Sequence, residues 1–221
     1  MNSQVIELRW WHDRYGTIER TSRDRSSHAG LDPETGVLSK DTVIVPETGV
    51  SARLYRPTSD PKYHNSLNRL VAEANIFLVS VDYRRAPENP LPAAYDDSWA
   101  ALQWVAAHAK EDGGSEAWLN DCVDFGRVFL AGDSCGANMA HHFALKLKDC
   151  ELGHQINIQA IAMIFPYFWG KDPIGVEVTD QARKSMVDNW WLLVCPSEKG
   201  CDGSSNQPIR RWIPKSRECC L

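Results

Sequence analysis

The chain has 221 residues, of which 43% are apolar and 24% are charged, and this is the composition of a soluble globular domain. Lys and Arg number 24 against 29 Asp and Glu, so the net charge of -5 provides no general attraction for nucleic acid. No apolar stretch is long enough to span a bilayer, and the first residues lack the apolar run of a signal peptide. Together with seven cysteines, an odd number, this predicts reduced thiols in the cytoplasm or nucleus.

The first half of the chain predicts a hairpin, a helix and a strand. Two apolar-rich runs at 42–45 and 50–55 flank a Pro-Glu-Thr-Gly turn at 46–49, a pattern typical of an antiparallel hairpin. Leucine and valine at helical spacing predict a helix over 63–74. The nearly continuous apolar run at 76–81 predicts a strand that is covered on both faces.

The second half alternates helices with strands. Apolar residues recur on one face over 95–108, which predicts a long amphipathic helix with Asp96 and Asp97 in its first turn. Strands are predicted at 127–131 and 158–165, and a further helix at 178–194. Alternation of this kind favours a mostly parallel sheet with helices on both faces.

Three regions follow from these patterns. Residues 1–30 form an N-terminal segment, residues 31–201 a partial α/β domain, and residues 202–221 a divergent tail. The tail has no periodicity and is more basic than the preceding chain, so we expect it to be disordered.

Gly132-Asp133-Ser134-Cys135-Gly136 is the motif with a chemical interpretation, a GxSxG between a predicted strand and a predicted helix. Glycines two positions before and after the serine permit a sharp turn that projects the hydroxyl above the sheet edge, the arrangement called a nucleophile elbow. The amide of Cys135, at the helix start, would then point at a developing oxyanion.

Several segments of the chain carry a specific family resemblance: VSVDYRRAPENPLPAAYDDSWAALQWVA, YHNSLNRLVAEAN and AGDSCGANMAHH. They resemble the plant carboxylesterases, in the hormone-sensitive-lipase-like branch of the α/β-hydrolase fold that also includes the gibberellin receptor. The resemblance runs from about residue 30 to 202. It implies an α/β-hydrolase fold and an esterase acting on carboxylic esters, with Ser134 as nucleophile and Cys135, where the family commonly has Ala, as an oxyanion donor.

One departure from the family lies between the hairpin and the first helix. The family carries there a strand ending in HGGG, whose loop supplies the other oxyanion donors. Here residues 56–62 join the two elements directly. The missing strand belongs at the centre of the sheet, so we expect either a gap or direct pairing of the strands at 76–81 and 128–131.

The second departure concerns the rest of the triad, which in the family follows the order Ser, Asp, His. The likeness stops near Asp202, before the family's acid and base, and suggests an incomplete fold without its last strands. After Ser134 the sequence has only His141, His142 and His154. The first two lie roughly 10 to 12 Å along a helix from the serine, at 1.5 Å per residue, and His154 follows that helix. We expect none of them to serve as the base.

The upstream histidines and the DYRRAPE segment have structural interpretations. His64 resembles the family's YHN helix residue, which is not the general base, and Asp82, Arg84 and Glu88 are predicted to hold the loop after their strand by hydrogen bonds and ion pairs. HExxH, GxGxxG and Walker-type GK[ST] are all absent from the sequence, so we expect no metal and no nucleotide cofactor.

Three functional hypotheses stay open on the sequence. The first is a carboxylesterase-like serine hydrolase, impaired or inactive in this chain. The second is a non-catalytic module that binds a small hormone-like ligand in the family's pocket. The third is a truncated product without a function of its own. The expected partner is a small-molecule ester or a hormone-like ligand, without nucleic acid or membrane.

Overall fold

The structure is a computed structural model. It describes residues 4–8, 28–57, 66–110, 113–148, 152, 156–169 and 180–195. Its strands are β1 (Gln4–Leu8), β2 (Leu38–Val45), β3 (Val50–Arg56), β4 (Phe77–Asp82), β5 (Val128–Asp133) and β6 (Ile158–Ile164). Its helices are α1 (Ser66–Ala74), α2 (Ala93–Ala107), α3 (Ala117–Cys122), α4 (Cys135–Lys146) and α5 (Gln181–Val194). The predicted alternation of strands and helices is confirmed.

The six strands form one sheet in the order β2-β3-β4-β1-β5-β6. The hairpin β2-β3 is antiparallel and joins β4 antiparallel, whereas β4, β1, β5 and β6 run parallel. Phe77, Leu78, Val79 and Val81 of β4 are all buried, as predicted for a strand covered on both faces. The sheet is therefore mostly parallel, with the antiparallel hairpin at one edge.

The centre of the sheet differs from both outcomes expected for the missing HGGG strand. There is neither a gap nor direct pairing of β4 with β5, because β1 lies between them. Its backbone is parallel to both neighbours, with Ile6 opposite Val79 on one side and Leu130 on the other. Buried backbone N–H and C=O groups need partners, and β1 supplies them to both strands. A stretch of the N-terminal segment thus takes the central position.

The described residues fall into two compact units. The chain passes from one unit to the other after Asp82, within α2 after Asp97, and again after Pro166. The first unit contains the whole sheet with α1, α3, α4 and the part of α2 from Ser98 onward. The second contains residues 83–97, 167–169 and 180–195.

In the first unit, Val37, Leu67, Val71, Ile76 and Leu78 form a buried cluster between α1 and the sheet. In the second unit, α5 confirms the helix predicted at 178–194. The apolar residues of α5 are only partly buried. Trp191 is 6% exposed whereas Met186 is 54% exposed. The predicted tail at 202–221 lies outside the described residues, as do Cys201, Cys219 and Cys220. None of the described helices is both long and apolar enough to cross a bilayer.

Candidate active site

Ser134 stands alone between the end of β5 and the start of α4, as the GxSxG motif predicts. Its backbone has φ 56° and ψ -113°, in a region that non-glycine residues rarely adopt. Its side chain makes no capping hydrogen bond to α4, although serine is a preferred residue at that position. A serine held in a strained turn, with a hydroxyl that does not cap its helix, has the backbone geometry of a nucleophile elbow.

Two features of the backbone hold this turn. A Cβ atom on Gly132 would lie 2.2 Å from the carbonyl carbon of Gly136, so β5 and α4 approach too closely there for any side chain. The Ser134 N–H donates to the Ile164 carbonyl at 2.9 Å, and the Ser134 carbonyl accepts from the Asn138 N–H at 3.2 Å. The turn is thereby tied to β6 on one side and to the first turn of α4 on the other.

Cys135 is the first residue of α4 and is partly buried. The first N–H groups of a helix have no partner within the helix, and the helix dipole favours negative charge near them. The structure thus brings the two predicted site residues, Ser134 and Cys135, together at one helix N-terminus. α4 begins at Cys135, directly after the serine, as expected for the amide of Cys135 at the helix start.

The carboxyl end of β1 lies beside this turn. Leu8, its last residue, is paired with Val81 of β4 and with Gly132 of β5. Chain leaving β1 therefore starts from the sheet edge at which Ser134 is placed, the position that the resemblance assigns to the HGGG loop. In this sequence Leu8 is followed by Arg9-Trp10-Trp11-His12, which lie outside the described residues.

The histidines of α4 do not have the surroundings of a general base. Burial lowers the pKa of His141, and Lys148 lowers it further. Burial also lowers the pKa of His142, with Lys146 and His141 contributing. Both follow the serine by about two helical turns, so α4 carries them away from the sheet edge. His64 and His154 lie outside the described residues.

His108 has a structural role instead. Its ring is 4% exposed, its Nδ1 lies 2.8 Å from the Trp104 carbonyl oxygen, and its Nε2 accepts from the Glu116 N–H at 3.1 Å. Glu116 in turn caps α3 by accepting from the Trp118 N–H, and it pairs with Lys40. Both ring nitrogens therefore have partners: Nδ1 contacts the last turns of α2, and Nε2 links the end of α2 to the start of α3.

The DYRRAPE segment has the predicted ion pair, with a partner that the sequence did not identify. The Arg84 guanidinium donates to both carboxylate oxygens of Asp97, with Nη2 2.7 Å from Oδ1 and Nε 2.9 Å from Oδ2. The Arg84 N–H also donates to Oδ2 at 2.9 Å. The Asp97 side chain is 4% exposed. The prediction that Asp97 lies in the first turn of its helix is wrong, because α2 begins at Ala93 and only Asp96 lies in the first turn. Asp97 instead anchors the loop after β4.

Comparison with known proteins agrees with this geometry. A profile of the α/β-hydrolase fold family matches residues 55–213. "Probable carboxylesterase 2" of Arabidopsis thaliana is 48% identical over 90% of this chain and 68% of its own length. The chain belongs to the plant carboxylesterase family of α/β-hydrolases. "2-Hydroxyisoflavanone dehydratase" of Glycine max, another relative, is 34% identical over 90% of this chain and 70% of its own length.

Solved structures show the same fold. The crystal structure of EstE1, a thermostable carboxylesterase from a metagenomic library, matches with a TM-score of 0.58 and 24% identity, over 77% of this chain and 63% of that one. An esterase of the bacterial hormone-sensitive lipase family matches with a TM-score of 0.55 and 20% identity, over 81% and 61%. The chain spans about two thirds of the length of these family members.

Proposed function

We propose that this chain acts on carboxylic esters as a serine hydrolase, with Ser134 as the nucleophile. The observation that carries the proposal is the strained backbone of Ser134 at the junction of β5 and α4. Such strain persists only where the surrounding structure enforces it, and it is characteristic of active sites. The names of the Arabidopsis relatives support an ester as the substrate.

The reaction would proceed through an acyl-enzyme. The Ser134 hydroxyl oxygen bonds to the ester carbonyl carbon while its proton passes to a base, and the carbonyl oxygen becomes an oxyanion that accepts a hydrogen bond from the Cys135 N–H. Breaking the ester C–O bond releases the alcohol with that proton. Water then adds to the acyl carbon, and the carboxylic acid and the serine hydroxyl are restored. Because the donor of Cys135 is its backbone, the thiol leaves this hydrogen bond in place.

We further propose that turnover by the 221-residue chain is low. The sequence has no HGGG, so a part of the family's oxyanion hole is missing, and His141 and His142 lie along α4 rather than at the serine. Loss of one triad member leaves only the contribution of binding and of the remaining oxyanion donors. We expect hydrolysis of a short-chain nitrophenyl ester at least about a thousandfold slower than by an Arabidopsis relative.

A fluorophosphonate probe tests the assignment of Ser134 independently of turnover. We expect slow labelling, mapped by mass spectrometry to the peptide containing Ser134 and abolished in Ser134→Ala. Cys135→Ala, which restores the residue common in the family, is the matched variant and should keep the labelling. Labelling at another serine would contradict the proposal. A folded protein that is not labelled but binds a small ester would favour the receptor-like alternative.

We propose a small-molecule ester as the partner, with no role for nucleic acid, since the net charge is -5. We propose the cytoplasm as its location, and fractionation with an antibody to the chain would test this. Two relatives carry names that place them elsewhere, one mitochondrial and one chloroplastic.

A further inference from the structure

The connection between α2 and α3 is held by a histidine that the proposed reaction does not use. His108, at the end of α2, is buried, and its ring lies directly against the backbone of Gly114. A Cβ atom on Gly114 would lie 2.1 Å from the ring nitrogen Nε2, so only glycine leaves room for the ring. The Asn120 side chain in turn bonds to both the N–H and the carbonyl oxygen of Gly114. The ring therefore packs on a piece of backbone whose own polar groups are paired.

The two hydrogen bonds of the ring fix its protonation state. Nδ1 lies 2.8 Å from the carbonyl oxygen of Trp104, which can only accept, so Nδ1 carries a proton. Nε2 accepts from the Glu116 N–H at 3.1 Å, so Nε2 carries none. This arrangement requires a neutral His108 in one particular tautomer. A second proton, on Nε2, would place two donors against each other and remove the bond to Glu116.

The bond to the Glu116 N–H matters because Glu116 begins α3. Its carboxylate accepts from the Trp118 N–H at 3.0 Å, and its carbonyl oxygen accepts from the Leu119 and Asn120 N–H groups at 3.1 and 3.3 Å. The imidazole of His108 thus attaches the first turn of α3 to the end of α2. Leu119 is fully buried, so loss of this bond would free the first turn and leave Leu119 in the core.

The described charges around the ring do not compensate for loss of that bond. Glu116 supplies a carboxylate, but it already pairs with Lys40 of β2 and caps the Trp118 N–H. To hold a protonated His108, it would have to give up both partners. The other charged side chains nearby in the chain or on β2 and β3 are exposed, paired with each other or placed over the Trp118 ring: Lys110 and Asp121, Asp41 and Arg53, and Arg56, respectively. Glu111 and Asp112 lie outside the described residues.

We propose that His108 is an acid-sensitive switch, which holds the first turn of α3 to the end of α2 while Nε2 is free and releases that turn when Nε2 is protonated. Histidine is the side chain whose charge ordinarily changes between about pH 5 and 8, so mild acid is sufficient. Because the contact exists only in the neutral form, it is present at the upper end of this range and lost toward the lower end. β5, which follows α3, stays in place because it pairs with β1 and β6.

Nuclear magnetic resonance of the whole chain tests the proposal. Between about pH 8 and about pH 5, the Glu116 and Trp118 amide signals should move with the same midpoint as the His108 ring signals. At the acid end, the amides of the first turn of α3 should exchange about tenfold faster in wild type than in His108→Gln, whose side-chain oxygen accepts a hydrogen bond at either pH. His142→Gln, which removes a partly buried histidine from α4, is the matched control and should keep the wild-type response.

Gly114→Ala gives the released state without acid. Its Cβ atom would displace the His108 ring, so the Glu116 signal should lie, already at neutral pH, where wild type reaches it in acid. Gly126→Ala is the control, because a Cβ there would meet only the Asp124 carboxylate, at 3.2 Å. A His108 ring that titrates while the Glu116 signal stays fixed would overturn the proposal, because the protonated ring would then remain in place. A ring that stays neutral until the whole chain unfolds would overturn it too.

Discussion

The α-carbon of Gly132 faces the backbone of Gly136 so closely that a methyl group on Gly132 would lie 2.2 Å from the carbonyl carbon and 2.3 Å from the carbonyl oxygen of Gly136. Neither neighbour is a flexible side chain, so the clash is relieved only if β5 and α4 move apart. The geometry of Ser134 depends on this contact, because the serine is the one residue between the two elements.

We therefore expect Gly132→Ala to lower the free energy of unfolding by about 3 kcal/mol and to abolish fluorophosphonate labelling. Denaturant unfolding and probe labelling measure the two effects. Gly126→Ala is the control, since a Cβ there would meet only the Asp124 carboxylate, at 3.2 Å. Equal labelling of wild type and Gly132→Ala would show that the turn does not need this close approach.

β1 provides a second prediction, on the stability of the sheet. Ile6→Pro removes a backbone donor from a strand that pairs on both sides, so we expect unfolding to become easier by at least about 2 kcal/mol. Ile6→Val retains every backbone donor and serves as the control. Thermal unfolding followed by circular dichroism makes the measurement. Identical transitions for the proline and valine variants would mean that β1 contributes nothing to the sheet.

The ion pair of Arg84 with Asp97 provides a third prediction, on the stability of the fold. Asp97→Ala leaves the Arg84 guanidinium and its N–H without their buried acceptor, and we expect a loss of about 2 to 4 kcal/mol. Asp97→Asn keeps an acceptor for the N–H but not the charge, so its loss should be smaller. Urea unfolding of both variants gives the comparison. If both variants lose the same amount, the charge of Asp97 has no separate role.

The histidines of α4 predict how the free energy of unfolding changes in acid. Burial lowers the pKa of His141 and His142 below their ordinary value of 6.5, so near and below that pH the unfolded chain binds protons that the folded chain does not. The free energy of unfolding should therefore fall as the pH drops below 6.5 and level off below the folded pKa values. Replacing both residues by Gln should flatten this dependence. An unchanged pH profile in that double variant would assign the acid sensitivity to other groups.

Much of the fold is predictable from the sequence. A long apolar run favours a buried strand, and apolar residues at helical spacing favour a helix with one buried face. β4, β5, α2 and the turn at Ser134 are of this kind. α3 was not predicted, since six residues give less than two helical turns and its cap, Glu116, lies within a polar stretch. β1 was not predicted because its place depends on partners far along the chain and not on its own five residues.

The candidate site was predictable in part for the same reason. Ser134 and Cys135 lie next to each other in a local motif whose turn requires glycine, so spacing alone places them. The bond of Asp97 to Arg84 joins residues thirteen positions apart, and no local pattern distinguishes Asp97, which is buried, from its neighbour Asp96, which is exposed. Long-range pairings of this kind become visible only once the chain has folded.

The central position of β1 also bears on the order in which the chain assembles. Its residues are synthesised before those of every other described strand, yet the strands on its two sides begin at Phe77 and Val128, so its second neighbour is synthesised more than 100 residues later. Until then the edge of β1 that faces β5 is open, and non-local pairing of this type is slow and prone to aggregation. Production of the protein should thus benefit from slow translation, low temperature or a chaperone that protects the nascent sheet until β5 has emerged.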